Sequence, residues 1–529
     1  MKIILALILM INLLITSTAN ASNLVGEGKK ILYIPIDDRP VNLKQSVEVI
    51  EKLGYEVLTP PENLLGNEKN YGEPIELWQW LNDNARGKTA AVISIDSMIY
   101  GSLVGSRKHE LTTEEIMQRV KKFEEFQKNF PRLPIYVFST IMRTPRSGAY
   151  SSAEPEYYQQ FGGMIFNYTV LKDKLESDKL TPRERRQKKK LEKNIPAEVL
   201  EDWMKRRAKN FDANKYLIDL ANQGVFRYFL LGCDDSAIFS QTHLESRHLD
   251  KHGKMLGKTR FLVTSGADEL GMLMLSRAVN DDLNYYPFIT VKYNDGKGSE
   301  TIPSYGNEAI GDSIDGAITA IGAIKINDPS KADLVLAVNT NLDGKTFEAM
   351  SPKNIFKPRK STKRFMKIIN ELLEKDYPLG IADISFANGA DNALMYQLLK
   401  NDQQFKIKAY GGWNTATNSS GFLIGAGSLT RWLDDKSKND LLMTRYFDDW
   451  AYQSNVRSMV ANQLAKISGK GEYMKLDEKK IGAEDFGTYS IKNFADQYIK
   501  LPTNYFLEDI RMQFTWNRLF ESDISFELK

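Results

Sequence analysis

Ten apolar runs of strand length punctuate the chain, at 31–36, 55–59, 90–95, 134–140, 226–231, 260–264, 288–292, 333–338, 379–384 and 406–410. Most are followed by a stretch with helical spacing, such as Leu43 to Leu53 with Val47, Val49 and Ile50 on one face. Continuous apolar runs belong to strands covered on both faces, and strands that alternate with helices build parallel sheets. The expected fold is therefore α/β and largely parallel. The pattern divides into a (β/α)-barrel-like domain over residues 22–285, a second α/β domain over 286–430, and a C-terminal region over 431–529. In that last region the strand pattern fades and helical spacing such as Asp440 to Leu464 takes over. A charged helical insertion at about 150–215 separates the fourth and fifth runs and carries Arg183-Glu-Arg-Arg-Gln-Lys-Lys-Lys190. Such a run reads as a solvated helical face, with a grip on an anionic polymer as the other reading.

The first residues bound the compartment. Met1-Lys2 is basic, Ile3 to Ile15 is mostly apolar, and Ala19-Asn20-Ala21 suits a cleavage site, so residues 1–21 read as a signal peptide and the mature chain as secreted or extracytoplasmic. No later segment approaches spanning length. The single cysteine, Cys233, precludes an intramolecular disulfide. Basic and acidic residues, 71 against 68, nearly cancel, which gives no electrostatic footprint for nucleic acid. The four histidines, His109, His243, His248 and His252, lack zinc-site spacing. No cofactor is expected, although strand-end carboxylates leave a divalent cation such as Mg²⁺ or Ca²⁺ open. The oligomeric state is not fixed.

Chemistry concentrates where apolar runs stop, which in α/β folds is the side of the ligand crevice. Asp37-Asp38-Arg39 follows the first run, and a guanidinium there can hold one carboxylate ionised. Asp96 follows the third, ahead of Tyr100 and Arg107, which offer a ring and a cation. Arg143 follows the fourth as a clamp. Asp234-Asp235 follows the fifth, where one carboxylate can stay ionised while its neighbour, its pKa raised, donates a proton. Asp268 and Glu269 follow the sixth, where a helix start competes with a ligand role. Asn388 and Asp391 come after the ninth, and Trp413 and Asn414 after the tenth, the last pair suited to a sugar face stacked on an indole with amides reading hydroxyls.

Taken in order, Ile-Pro-Ile-Asp-Asp-Arg-Pro-Val-Asn at 34–42, Asp96 with Tyr-Gly-Ser-Leu at 100–103, Arg143, Cys-Asp-Asp-Ser at 233–236, Gly-Ala-Asp-Glu at 266–269, Phe-Ala-Asn-Gly-Ala-Asp at 386–391 and Gly-Gly-Trp-Asn-Thr-Ala at 411–416 resemble the bacterial domain-of-unknown-function 4127 family. Phe229-Leu-Leu-Gly-Cys-Asp-Asp resembles the strand-plus-Asp-Asp element of barrel hexosaminidases. That resemblance implies Asp234 as the residue that orients a substrate acetamido group and Asp235 as the general acid. The aromatic-glycine pair of those enzymes is replaced here by Asp37-Asp38, so the acetamido sugar is one option among several.

The leading expectation is a secreted, glycosidase-like hydrolase acting on a glycan or other polymer through Asp234 and Asp235. The alternatives are a metal-assisted hydrolase of phosphoester or amide bonds, and a non-catalytic carbohydrate-binding or envelope-assembly protein.

Overall fold

The computed structural model describes residues 24–146, 153–468 and 475–529. The signal-peptide reading of residues 1–21 lies outside them, as does the start of the insertion at about 150. Among the described residues no helix is long and apolar enough to cross a membrane.

All ten apolar runs form strands. The first six give β1 (Lys30–Ile34), β2 (Glu56–Leu58), β3 (Ala90–Ser94), β4 (Ile135–Ile141), β5 (Tyr228–Cys233) and β6 (Phe261–Ser265). They pair in parallel in the order β2-β1-β3-β4-β5-β6. The expected barrel is not closed: β2 and β6 stand at opposite edges of an open sheet. The chain winds outward from β1 in both directions, so the crevice of a doubly wound sheet falls at the carboxyl ends around β1 and β3. Periodicity does not separate the two architectures, because a barrel and an open doubly wound sheet share the same strand–helix alternation.

The second sheet comprises β7 (Phe288–Tyr293), β8 (Ile324–Lys325), β9 (Leu334–Asn339), β11 (Leu379–Asp383) and β13 (Ala409–Gly411), with β10 (Phe347–Glu348) and β12 (Phe386–Ala387) forming a small parallel pair beside it. Its order, β8-β7-β9-β11-β13, repeats the winding of the first sheet. Two copies of one topology thus stand in tandem, without any repeat visible in the residues.

The two lobes share a helical layer. The helix Leu270–Asp282 lies on β3 and β4, the helix Ala416–Ser428 lies on β11 and β13, and the two helices pack on each other. Nearly every residue of Ala416–Ser428 is buried, as befits a helix covered all round. Gly421 and Gly425 allow the approach: a Cβ on Gly421 would sit 2.5 Å from Glu269 Cγ, and one on Gly425 3.0 Å from Met272 Cγ.

The C-terminal region departs from its helical expectation. Helices Asp435–Arg445 and Lys480–Tyr498 are present, but the chain ends in an antiparallel hairpin, β14 (Leu507–Gln513) and β15 (Asp523–Leu528). The alternation of Ile510 and Met512, and of Ile524 and Leu528, with polar neighbours is the period-two signal of a half-covered strand. The segment between β14 and β15 spans both lobes. Trp516 Nε1 donates to Asp38 Oδ1 at 2.7 Å on the first, and the Phe520 ring lies 6.3 Å from that of Trp413 on the second.

Candidate active site

Ile141, Cys233 and Ser265 are level in the register of β4, β5 and β6, so the residues that follow them emerge side by side. They open onto a cleft of about 400 Å³. The first lobe supplies charge to it: Arg39, Arg107, Arg143, Asp234, Asp235 and Asp268. The second lobe supplies neutral polar groups: Tyr305, Asn388, Asn414, Thr415, Thr417 and Asn418. The hairpin segment adds Trp516, Arg518, Phe520 and Glu521.

The doublet is held in an ionic ring. Asp234 pairs with Arg107, whose Nη1 lies 3.8 Å from Glu154 Oε1. Arg143 Nε donates to that same Glu154 oxygen at 2.6 Å, and its Nη1 reaches Asp235 Oδ2 at 3.1 Å. Glu154 is fully buried and fixes both arginines at once. The two aspartates differ in access, since the Asp235 side chain keeps 31% of its surface and Asp234 only 9%. Burial within the walls of the cleft, and secondarily the Asp234 charge, push the Asp235 carboxyl up to about 6 against the pull of Arg143 and Arg107.

A second cluster backs the cleft. Arg39 Nη2 binds Asp37 Oδ2 at 2.8 Å and also Asp268, while its Nη1 lies 3.8 Å from Glu521 Oε1. Asn42 Nδ2 donates to Asp37 Oδ1 at 2.7 Å. Asp268 also accepts from Asn414 Nδ2 at 2.9 Å and Asn418 Nδ2 at 3.4 Å, so one carboxylate ties the charged wall to the neutral one. Three lining residues of the neutral wall, Tyr305 (φ 69°), Asn388 (φ 63°) and Asn414 (φ 62°), occupy left-handed backbone. Asn tolerates that region and tyrosine does so at a cost, a pattern that collects at ligand sites. Tyr305 Oη and Asn388 Nδ2 both donate to Glu348, at 2.9 and 2.8 Å.

Of the residues expected from sequence, Arg39, Arg143, Asp234, Asp235, Asp268, Asn388 and Asn414 line this one cleft. Asp37 lies behind Arg39. Asp38 faces Trp516 and is raised to about 6, chiefly by burial. Asp96 sits beneath Asp234, accepting Thr140 N–H at 2.8 Å and its hydroxyl at 3.0 Å, with burial raising it to about 7. Tyr100 is stacked on His109 away from the cleft. Asp391 is buried in the second lobe, where it caps the helix Asn392–Lys400 and pairs with Arg359. Trp413 offers no sugar platform: it is buried, with the Phe520 ring 6.3 Å away. Sequence reading passed over Glu154, hidden at the edge of a charged insertion, and Tyr305. It also passed over Trp516, Arg518, Phe520 and Glu521, whose clustering of rings and charges within six residues was the available signal.

Glu269 is buried between the lobes, wedged against Gly266 and Gly421, and burial with the Asp268 charge pushes it up to about 8. Its folded pKa exceeds the unfolded value, so the folded state holds the extra proton. The associated stability is present below about pH 4.3 and is lost as pH rises through about 8. Glu269→Gln should therefore flatten the decline. Urea unfolding of both proteins at about pH 5 and about pH 8 should show the variant gaining on the wild type by a few kcal/mol at the higher pH, since each tenfold difference in proton affinity between folded and unfolded chains corresponds to about 1.4 kcal/mol. Parallel pH slopes would show that Glu269 does not carry the proton.

The cleft carboxylates are already engaged by arginines, an arrangement that does not fit a resident divalent cation. The one grouping of three metal-type side chains among the described residues is Glu508, Asp509 and Glu527, exposed on the hairpin outside the cleft lining. No curated protein and no solved structure matches the chain. A family described as protein of unknown function (DUF4127) matches residues 31–525, nearly the full length, and the chain belongs to that family.

Proposed function

We propose that the protein is a glycoside-hydrolase-like enzyme, with Asp235 as the proton donor and Asp234 as the charged partner that orients substrate. The carrying observation is the division of the cleft. One wall presents an accessible carboxyl with a raised pKa beside an arginine-held carboxylate, and the facing wall presents only amides, hydroxyls and a tyrosine ring. Glycosidic cleavage needs a group that is protonated near neutrality and a second that stays ionised. Polyhydroxylated ligands are read by neutral donors and acceptors such as those of Asn388, Asn414 and Asn418. An extracytoplasmic location, from the signal-peptide reading, accords with a glycan substrate.

A specific feature favours a second reading, a carbohydrate-binding protein without turnover: both doublet carboxylates already hold a guanidinium. Incubation of the wild type with a panel of oligosaccharides, following reducing-end release and binding in parallel, separates the two. Release of reducing ends from at least one glycan is expected. Saturable binding without release would transfer the site to the second reading, and neither binding nor release would remove both.

A further inference from the structure

We infer that the cleft selects an uncharged or cationic saccharide and disfavours anionic ones, an inference that rests on the glycan reading above. Four arginines in a pocket suggest at first an anion site. Their partners argue otherwise. Arg39 is shared between Asp37 and Asp268, with Glu521 at 3.8 Å; Arg107 between Asp234 and Glu154; Arg143 between Glu154 and Asp235. Arg518 Nε donates to Glu521 Oε2 at 2.6 Å, and its Nη2 pairs with the other oxygen of the same carboxylate.

Every lining arginine thus already meets at least one carboxylate. Four lining acids, Asp234, Asp235, Asp268 and Glu521, match the four guanidiniums, and Asp37 and Glu154 stand behind them. The lining residues of the second lobe add no compensating cation. A uronate, sulfate or phosphate group entering the cleft would meet guanidiniums whose charge is already matched by carboxylates, and drawing one of them away would leave a buried carboxylate uncompensated, which is the costly way to break such a pair. A neutral pyranose leaves the pairs intact. A protonated amine adds positive charge where carboxylates are in excess and is attracted.

The arginines therefore serve as scaffolding for the acids rather than as clamps for substrate. Asp234, held ionised by Arg107, is also placed to stabilise the positive charge of an oxocarbenium-like transition state.

Three oligosaccharides of matched length test the inference on the wild-type protein by calorimetric titration at low salt: an N-acetylglucosamine tetramer, a glucosamine tetramer at a pH where its amines are charged, and a galacturonate tetramer. The neutral or cationic ligand is expected to bind at least about tenfold more tightly than the anionic one, like-charge juxtaposition being strongly unfavourable. Added salt should weaken only the cationic ligand. Anionic binding equal to or tighter than the other two would overturn the charge inference and leave the glycan reading standing. No binding of any saccharide would overturn both. In Glu521→Gln, which removes one buried acid from the cleft lining, the gap between anionic and neutral ligands should narrow; an unchanged gap would also count against the inference.

Discussion

Asp235→Asn is expected to lower turnover of the susceptible glycan by roughly 10²–10⁴-fold, the span over which a positioned general acid acts, while the protein remains folded. The amide keeps the size of the side chain and an oxygen that can still accept from Arg143 Nη1, now 3.1 Å from Asp235 Oδ2. It also removes a charge from a place where burial already disfavours charge, so thermal unfolding should be close to that of the wild type. Only the protonated carboxyl can donate, so wild-type activity should fall as pH rises through about 6, and the variant's residual activity should lose that limb. Asp234→Asn should move the limb to lower pH instead, because the Asp234 charge helps hold its neighbour's proton. Turnover retained in Asp235→Asn within a factor of a few would remove Asp235 as the acid, whatever the substrate.

How much of this arrangement the residues announce depends on how local each signal is. Ile31 to Ile34 and Ile135 to Phe138 are apolar on both faces, and that demands a covered parallel strand wherever the strand ends up in the sheet. The acids that follow such strands were legible for the same reason. Strand order is different. Nothing in β2 or β6 says that they stand at opposite edges rather than paired to close a barrel, because closure is decided by tilt and by long-range packing of the helices. The partners of the doublet were equally hidden. Glu154 reaches Arg107 and Arg143 only after the chain has left β4 on its helical excursion, and Glu521 reaches Arg39 from a hairpin more than 480 residues along the chain. Trp413 shows the converse failure. An indole beside amides suits a sugar site by composition, yet the same residue fills space between the second sheet and Phe520.

Arg39→Ala is expected to destabilise the protein by about 3–5 kcal/mol, the usual cost of removing one partner from a buried ionic cluster. The guanidinium is almost wholly buried and serves Asp37, Asp268 and Glu521 together. Asp37, with no exposed side-chain surface, would keep only Asn42 Nδ2 and the backbone N–H of residue 39 as donors. The stranded carboxylates would then favour their protonated forms in the folded variant. The deficit should accordingly be largest near neutral pH and shrink as pH falls toward about 4, which urea unfolding of both proteins across that range would measure. Arg39→Lys should recover little, because a compact ammonium cannot span Asp37 and Asp268 as a planar fork does. A deficit below about 1 kcal/mol at neutral pH would mean that water takes over the cluster and that Arg39 is not its keystone. The second consequence reaches across the cleft. Asp268 also accepts from Asn414 and Asn418 of the other lobe, so its release loosens a polar tie between the two sheets as well as a strand-end ion pair. If that tie couples the lobes, unfolding of Arg39→Ala followed by tryptophan fluorescence should separate into two transitions where the wild type shows one.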